Sequence, residues 1–311
     1  MINLLVTGAL GHIGSKFIRE IPPDLVKRVN LLDNLATQRY PSLFDLPKEI
    51  SFRFFEEDVR TADLDNYFRG IDAVVHLAAI TDAEGSFSAR DHVEGTNVEG
   101  TRRVAQTCVR YGCRMIFLST TSVYGPQRGV VDEECSTEDL NPQSPYAESK
   151  LRAERMLQEM GLRDGLEFTI CRFGTIYGIS RGMRFHTAIN KFIWQACVGQ
   201  PLTVWRTAQE QMRPYLYLGD AVRALLFILQ KNLFDNRVYN VLTSNTTVME
   251  IVSILRRHVS DVSVDLVDSP IMNQLSYTVS SDRFCRLGFD FHGTLEQGIQ
   301  ETVEMLRNVR S

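Results

Sequence analysis

Short apolar runs punctuate the first 175 residues, at 2–7 (INLLVT), 29–32 (VNLL), 52–55 (FRFF), 72–77 (DAVVHL), 115–119 (MIFLS) and 167–172 (EFTICR). Between most of them the pattern turns helical, over 12–20, 61–69, 95–111 and 146–160. Runs this short and continuous predict strands buried on both faces. Strands alternating with helices predict crossover connections and a parallel sheet covered on both sides.

The rhythm changes beyond Gly178. A polar loop rich in charged groups (RGMRFHTAIN, 181–190) leads into one helix, then a short strand, a second polar loop and another strand. A helix over 219–231, a strand over 237–242, a helix over 247–258 and a strand over 262–267 follow. A last helix starts at Thr294, where Thr294-Leu-Glu-Gln297 has the form of a capping box. There is no internal repeat or low-complexity linker, so a second lobe is expected to be woven from C-terminal segments. The expected division is 1–177 with 214–242, and 178–213 with 243–311.

Composition narrows the function classes. The 311 residues are 44% hydrophobic and 23% charged, an ordinary globular balance with room for a large domain and an appended lobe. A net charge of −4 offers no basic field for nucleic acid. The pairs Arg102-Arg103 and Arg256-Arg257 read as solvated helix faces. The N-terminal apolar stretch has no cationic lead and runs straight into glycines, so no signal peptide is expected. No run approaches the roughly 18 apolar residues of a membrane span. The six cysteines form no CxxC pair and the six histidines no ligand spacing. Free thiols, a cytoplasmic location and no metal site are therefore expected.

The segment TGALGHIG (7–14) places Gly8, Gly11 and Gly14 between the first strand and the first helix. Gly8 suits a tight turn. Gly11 suits close approach of backbone to a diphosphate at a helix N-terminus, and Gly14 suits close helix–strand packing. Asp33 ends the second run 19 residues after Gly14, where a carboxylate accepts from both ribose hydroxyls and repels a 2′-phosphate. Position, order and spacing together predict an NAD site. The predicted fold class is then α/β: a Rossmann-type doubly wound parallel sheet with a smaller C-terminal substrate-binding α/β domain. Asp58-Val59, after the third run, could flank the adenine or simply turn the chain. Leu77, Ala78 and Ala79 follow the fourth run and are small enough to lie along a cofactor.

Tyr146 and Lys150, in SPYAESKLRAER, are four apart on one helix face. A phenol near its ordinary pKa of about 10 is a poor base at neutral pH. A nearby ammonium and a cationic nicotinamide ring would lower it. The hydroxyl-rich end of the fifth run, STTSVYG (119–125), reaches the same sheet edge.

Together VTGALGHIG, DNL, EEDVR, VVHLAA, TNVEGT, STTSVYG, YAESK, CRFGTIYG and RPYLYLGDAVRA span nearly the whole chain. They resemble the extended short-chain dehydrogenase/reductase family, in its nucleotide-sugar epimerase branch. The resemblance implies Thr120, Tyr146 and Lys150 as catalytic residues. It implies NAD held by Gly8, Gly11, His12, Ile13, Gly14, Asp33, Asn34, Asp58, Val59, Leu77, Ala78, Ala79, Asn97, Tyr146, Lys150 and Phe173. For a nucleotide-diphosphate sugar it points to Thr81, Thr120, Thr121, Tyr146, Thr175, Asn190, Trp205, Arg213 and Arg283, with Arg213 at the diphosphate and Trp205 available to stack on the base. Thr175 stands where epimerases of the family usually carry Asn.

The family's 4,6-dehydratases carry Asp-Glu after the position of Thr120, and its uronate decarboxylases carry Glu at the position of Ser122. Thr121-Ser122 stand there in this chain. A hydroxyl replaces a carboxyl acid or base poorly. Epimerisation, probed first at C4 as in UDP-glucose 4-epimerases, is the leading expectation. The alternatives are an NAD(H)-linked nucleotide-sugar oxidoreductase and a non-catalytic NAD-binding regulator. The resemblance further implies a homodimer through the helices at 95–111 and 146–160, with Val104, Cys108, Leu151 and Met156 on their exposed faces.

Overall fold

The protein is described by a computed structural model covering residues 1–127, 129–268 and 276–309. Seven strands form the central sheet: β1 (Ile2–Thr7), β2 (Val26–Asp33), β3 (Ser51–Glu56), β4 (Ala73–His76), β5 (Arg114–Thr120), β6 (Phe168–Phe173) and β7 (Arg237–Val241). Their order is β7-β6-β5-β4-β1-β2-β3, and every neighbouring pair is parallel. The order reverses between β1 and β4, so loops leaving their carboxyl ends diverge and leave a crevice.

The apolar runs are continuous because both faces are covered. Leu4 and Val6 of β1 join one core with Phe17 and Ile18 of α1 (His12–Glu20). Leu5, on the opposite face, joins a second with Val104 of α2 (Thr101–Tyr111) and Leu157 of α3 (Pro145–Asp164). Side chains alternate along a strand, so a strand buried on both sides must be apolar at every position.

A further core lies beyond β6. It gathers Tyr177, Ile189 and Phe192 with Tyr215, Ile251 and Ile299. Its helices are α4 (Ala188–Cys197), α6 (Val248–His258) and α7 (Leu295–Leu306); α5 (Leu218–Lys231) instead lies on the α1 side of the main sheet. The strand Arg213–Tyr217 pairs in parallel with Thr175–Tyr177 and antiparallel with Ser244–Thr246. Val264–Val267 pairs with Leu202–Trp205.

Four expectations are corrected. The stretch 61–69 forms only one turn, Asp65–Phe68, because the Thr61 and Ala62 amides fold back on Asp58 O at 3.0 and 2.8 Å. The helical stretch expected from 95 begins at Arg90 and passes through a π segment, Gly95–Gly100, before α2. At α7 only half the capping box forms. Thr294 accepts from Gln297 N at 3.1 Å, but the Gln297 side chain reaches forward to Glu301. Finally, Val104, Cys108, Leu151 and Met156 are buried within the chain's own cores, so they do not form an exposed face. Among the described residues no helix is long and apolar enough to cross a membrane.

Candidate active site

β1 runs into the glycine loop, where Gly8 takes φ 64°. A Cβ there would stand 2.6 Å from Ala78 N and 2.7 Å from Leu77 C, so only glycine lets the loop pass this close to the end of β4. Gly11 precedes α1 and uses no side-chain cap, which leaves the amides of the first turn turned outward to an anion. A Cβ at Gly14 would meet Ala9 O at 2.5 Å, which is the close packing its position predicts. Ile13 packs against the core under the loop.

Asp33 closes β2 beside this loop. Its Oδ2 accepts from Leu10 N and its Oδ1 from Leu35 N, each at 3.0 Å. Each oxygen keeps lone-pair capacity for a further donor. Asn34 donates to Asp58 Oδ2 at 3.1 Å, and Arg60 grips the same carboxylate at 2.8 Å. The Arg60 bonds chiefly hold the Asp58 carboxyl down at about 2. Asp58 therefore ties Asn34 and Arg60 together beyond the ends of β2 and β3. Val59 is buried and gives its carbonyl to Arg103.

A relay that sequence reading missed sits under the loop. The Thr101 hydroxyl donates to Asn97 O, so it accepts from His76 Nε2 at 3.0 Å. His76 Nδ1 then accepts from the Thr7 hydroxyl at 2.7 Å. Burial keeps this imidazole neutral, its pKa down at about 3. Asn97 is wholly buried in the π segment. Its amide bonds both backbone groups of Ile80 and the Ser149 hydroxyl, so it fixes the loop that carries Leu77, Ala78, Ala79 and Thr81.

α3 begins cleanly because Ser144 caps Ala147 N at 3.2 Å and Pro145 occupies its first turn; it ends at Gly165 in the left-handed region. Tyr146, Lys150 and Glu154 share one face of it. That face meets the end of β5. The Thr120 hydroxyl lies close enough to the Tyr146 phenol to favour its ionised form, although burial raises the phenol overall. Lys150 Nζ donates to Leu118 O at 2.7 Å and lies 4.7 Å from the Phe117 ring centroid. Burial lowers its pKa to about 7, against the pull of Glu154. The Arg184 guanidinium also favours the ionised phenol.

Behind Lys150, Glu154 accepts from Arg172 at 2.7 Å and from Ser119 Oγ. The carboxylate drives the Arg172 pKa up despite burial. Thr121 is buried and donates to Phe173 O at 3.3 Å, leaving no carboxyl group at positions 121 and 122. Phe173 itself is core.

The loop after Thr175–Tyr177 lies across the glycine loop. His12 Nε2 bonds Gly178 O at 2.8 Å, and Ser15 Oγ accepts from Gly182 N at 2.9 Å. His12 is buried, its pKa lowered to about 3 chiefly by desolvation and next by Arg184. Asn190 is buried too: its Oδ1 accepts from Gly178 N and its Nδ2 donates to Arg184 O. It shapes this loop from within. Arg184 donates to Thr81 Oγ1, and the Asp82 carboxylate acts on its guanidinium through space.

Trp205 and Arg213 come together, the guanidinium 5.8 Å from the ring centroid. Thr175 pairs with Tyr215 beside them. Arg283 is committed elsewhere, ion-paired to Glu134 and donating to Val238 O at 3.3 Å. Glu154, Arg172 and Arg184 were not singled out from sequence. Glu154 carried a signal, one helical turn beyond Lys150; Arg172 sits inside an apolar run and Arg184 in a loop.

Comparison with known proteins identifies this arrangement. The model of the NAD dependent epimerase/dehydratase family matches residues 4–241. The chain belongs to that family. NAD is the cofactor of its solved relatives, and the glycine cradle and Asp33 fit it. An uncharacterized UDP-glucose epimerase, YtcB of Bacillus subtilis, is 31% identical over 264 residues, covering 82% of this chain and 81% of that one. Among solved structures, UDP-glucose 4-epimerase of Thermus thermophilus in complex with NAD superposes with a TM-score of 0.84 at 26% identity, covering 99% of both chains. MoeE5 in complex with UDP-glucose and NAD gives 0.84 at 28% identity, covering 98% of both. The chain also spans about half (47%) of a trifunctional Arabidopsis thaliana protein, a UDP-glucose 4,6-dehydratase, epimerase and reductase, at 28% identity over 97% of this chain.

Proposed function

We propose that this family member is an NAD-dependent nucleotide-sugar epimerase acting at C4. The observation that carries the reading is the convergence of Tyr146, Thr120 and Lys150 at the end of β5, with hydroxyls at 121 and 122 where elimination would need carboxyl groups. Residues 1–177 with 214–242 would hold NAD, and 178–213 with 243–311 the nucleotide sugar. Two copies would associate as a homodimer.

Bound NAD would supply the hydride acceptor and donor. The chain's residues do the rest. Thr120 and Tyr146 hold the sugar hydroxyl that is to become a carbonyl. Tyr146 Oη takes its proton and later returns one. Lys150, fixed on Leu118 O, is placed to orient the ribose of the cofactor. Arg213 and Trp205 anchor the nucleotide diphosphate end while the sugar turns; holding a remote group tightly frees the reacting group to reorient. The test is proton NMR of the protein with nucleotide-sugar pairs and no added cofactor. Conversion of one epimer into the other is expected. Turnover that needs a stoichiometric supply of NAD⁺ or NADH would replace this reading with an oxidoreductase.

A further inference from the structure

The segment 178–187 leaves the strand Thr175–Tyr177 and crosses the crevice before α4 begins. On its way it touches the connections that follow β1, β2 and β4. On the β1 side, Gly178 O accepts from His12 Nε2 at 2.8 Å, and Gly182 N donates to Ser15 Oγ at 2.9 Å. Gly182 is buried there, and the carbonyls of Leu10 and Gly11 take the space a Cβ would need. On the β2 side, Arg181 Nη2 stands 3.0 Å from Asp45 Oδ2. The residue before Asp45 is tied to α1, because Arg19 donates both to Ser15 O at 2.6 Å and to Phe44 O. On the β4 side, Arg184 donates to Thr81 Oγ1, and Asp82 answers part of its charge.

These contacts are unequal. Those of Gly178 and Gly182 with α1 are buried hydrogen bonds. The Arg181–Asp45 pair is open to water at both ends, so it holds weakly and yields to salt. A segment bonded to both lips of a crevice covers what lies beneath it, and it opens first where its contacts are exposed. The glycine loop, the first turn of α1 and Asp33 hold NAD at this crevice. We propose that 178–187 is a strap across the bound cofactor, that NAD leaves only when the strap lifts, and that the Arg181–Asp45 pair is the latch that sets how often it lifts. Neither residue of the latch belongs to the glycine cradle. It acts on the rate of exchange through the strap and not through a grip on NAD.

The test follows cofactor exchange in the NAD-loaded protein, mixed with an excess of radiolabelled NAD. Hydrogen exchange of the 178–187 amides, read by mass spectrometry on the same samples, reports the opening of the strap. In Arg181→Gln and in Asp45→Asn, NAD release is expected to quicken about two- to fivefold, the scale of an exposed ion pair. The double variant should be no faster than either single one, since both remove the same contact. Release from the parent should quicken with added salt, and release from Arg181→Gln should not. The strap amides should exchange faster in step with release. Parental release rates in both single variants overturn the latch. Faster release with unchanged exchange of the 178–187 amides would mean that Arg181 grips NAD directly, and also overturns it. Additive effects in the double variant overturn the pairing of Arg181 with Asp45.

Discussion

Arg172 Nη2 sits 2.7 Å from Glu154 Oε2, with both side chains almost wholly out of water. The pair joins the middle of α3 to β6, and Arg172 also lies 4.9 Å from the Tyr124 ring centroid. It therefore fixes α3, and with it the placement of Tyr146 and Lys150 over the end of β5.

Removing one partner leaves the other charged and buried. Glu154→Gln or Arg172→Met is expected to cost about 3–5 kcal/mol in unfolding free energy. Measured by urea titration, the double variant Glu154→Leu/Arg172→Met recovers much of that loss, because an apolar pair carries no stranded charge. A single variant as stable as the parent would show that the pair is not the brace described here.

Tyr146→Phe keeps the ring and removes the phenolic oxygen to which the proposed mechanism gives the proton transfer. Epimerisation is expected to fall by about 10²–10⁴. The fold and NAD content should stay at parental levels, as read by circular dichroism and by cofactor release on denaturation. Parental turnover in this variant would remove Tyr146 from the mechanism.

The His76 relay makes stability depend on pH. The folded imidazole titrates at about 3 against 6.5 for the free side chain. Its contribution is therefore whole above about pH 6.5 and is lost as pH falls toward the folded value, since only the unfolded chain takes up the proton there. His12 has the same sign and window. Together they give a slope of up to about 2.7 kcal/mol per pH unit below pH 6. His186, lowered to about 4 by burial, adds to the slope in the same window, and His76→Gln should remove up to about 1.4 kcal/mol per pH unit of the total; urea midpoints between pH 7 and 5 measure it.

Gly182 tests the contact between the two loops. An added Cβ would stand 2.3 Å from Leu10 O and 2.6 Å from Gly11 O, both backbone atoms of the glycine loop. Gly182→Ala is expected to weaken NAD binding by roughly tenfold, about 1.4 kcal/mol. Gly95→Ala, with open space around it, serves as the control. Equal NAD affinity in the two variants would show that the glycine loop does not depend on this contact.

The sheet was legible in the sequence because burial on both faces forces each strand to be apolar throughout, as INLLVT and MIFLS are. The glycine loop was legible because close approach admits no other residue at Gly8. The Tyr146–Lys150 face followed from helical spacing alone. What escaped depends on contacts between distant segments. Nothing local marks Arg172 as the partner of Glu154, 18 residues away on another element. His76 looked like part of a strand, and only the meeting of Thr7 and Thr101 gives its ring a role. Arg283 looked available because its acidic partners lie about 150 residues earlier.

The three-stranded sheet beside β6 has a consequence for how the chain can be divided. Thr175–Tyr177 continues from β6 and Arg213–Tyr217 leads into α5; after the chain returns through β7, Ser244–Thr246 leaves again. The outer core is thus stitched from two excursions, one after β6 and one after β7, each anchored at its root in the main sheet. No single cut frees it as an independent piece. Expression of either half alone would yield fragments with open sheet edges, and the two cores would be expected to melt as one cooperative unit.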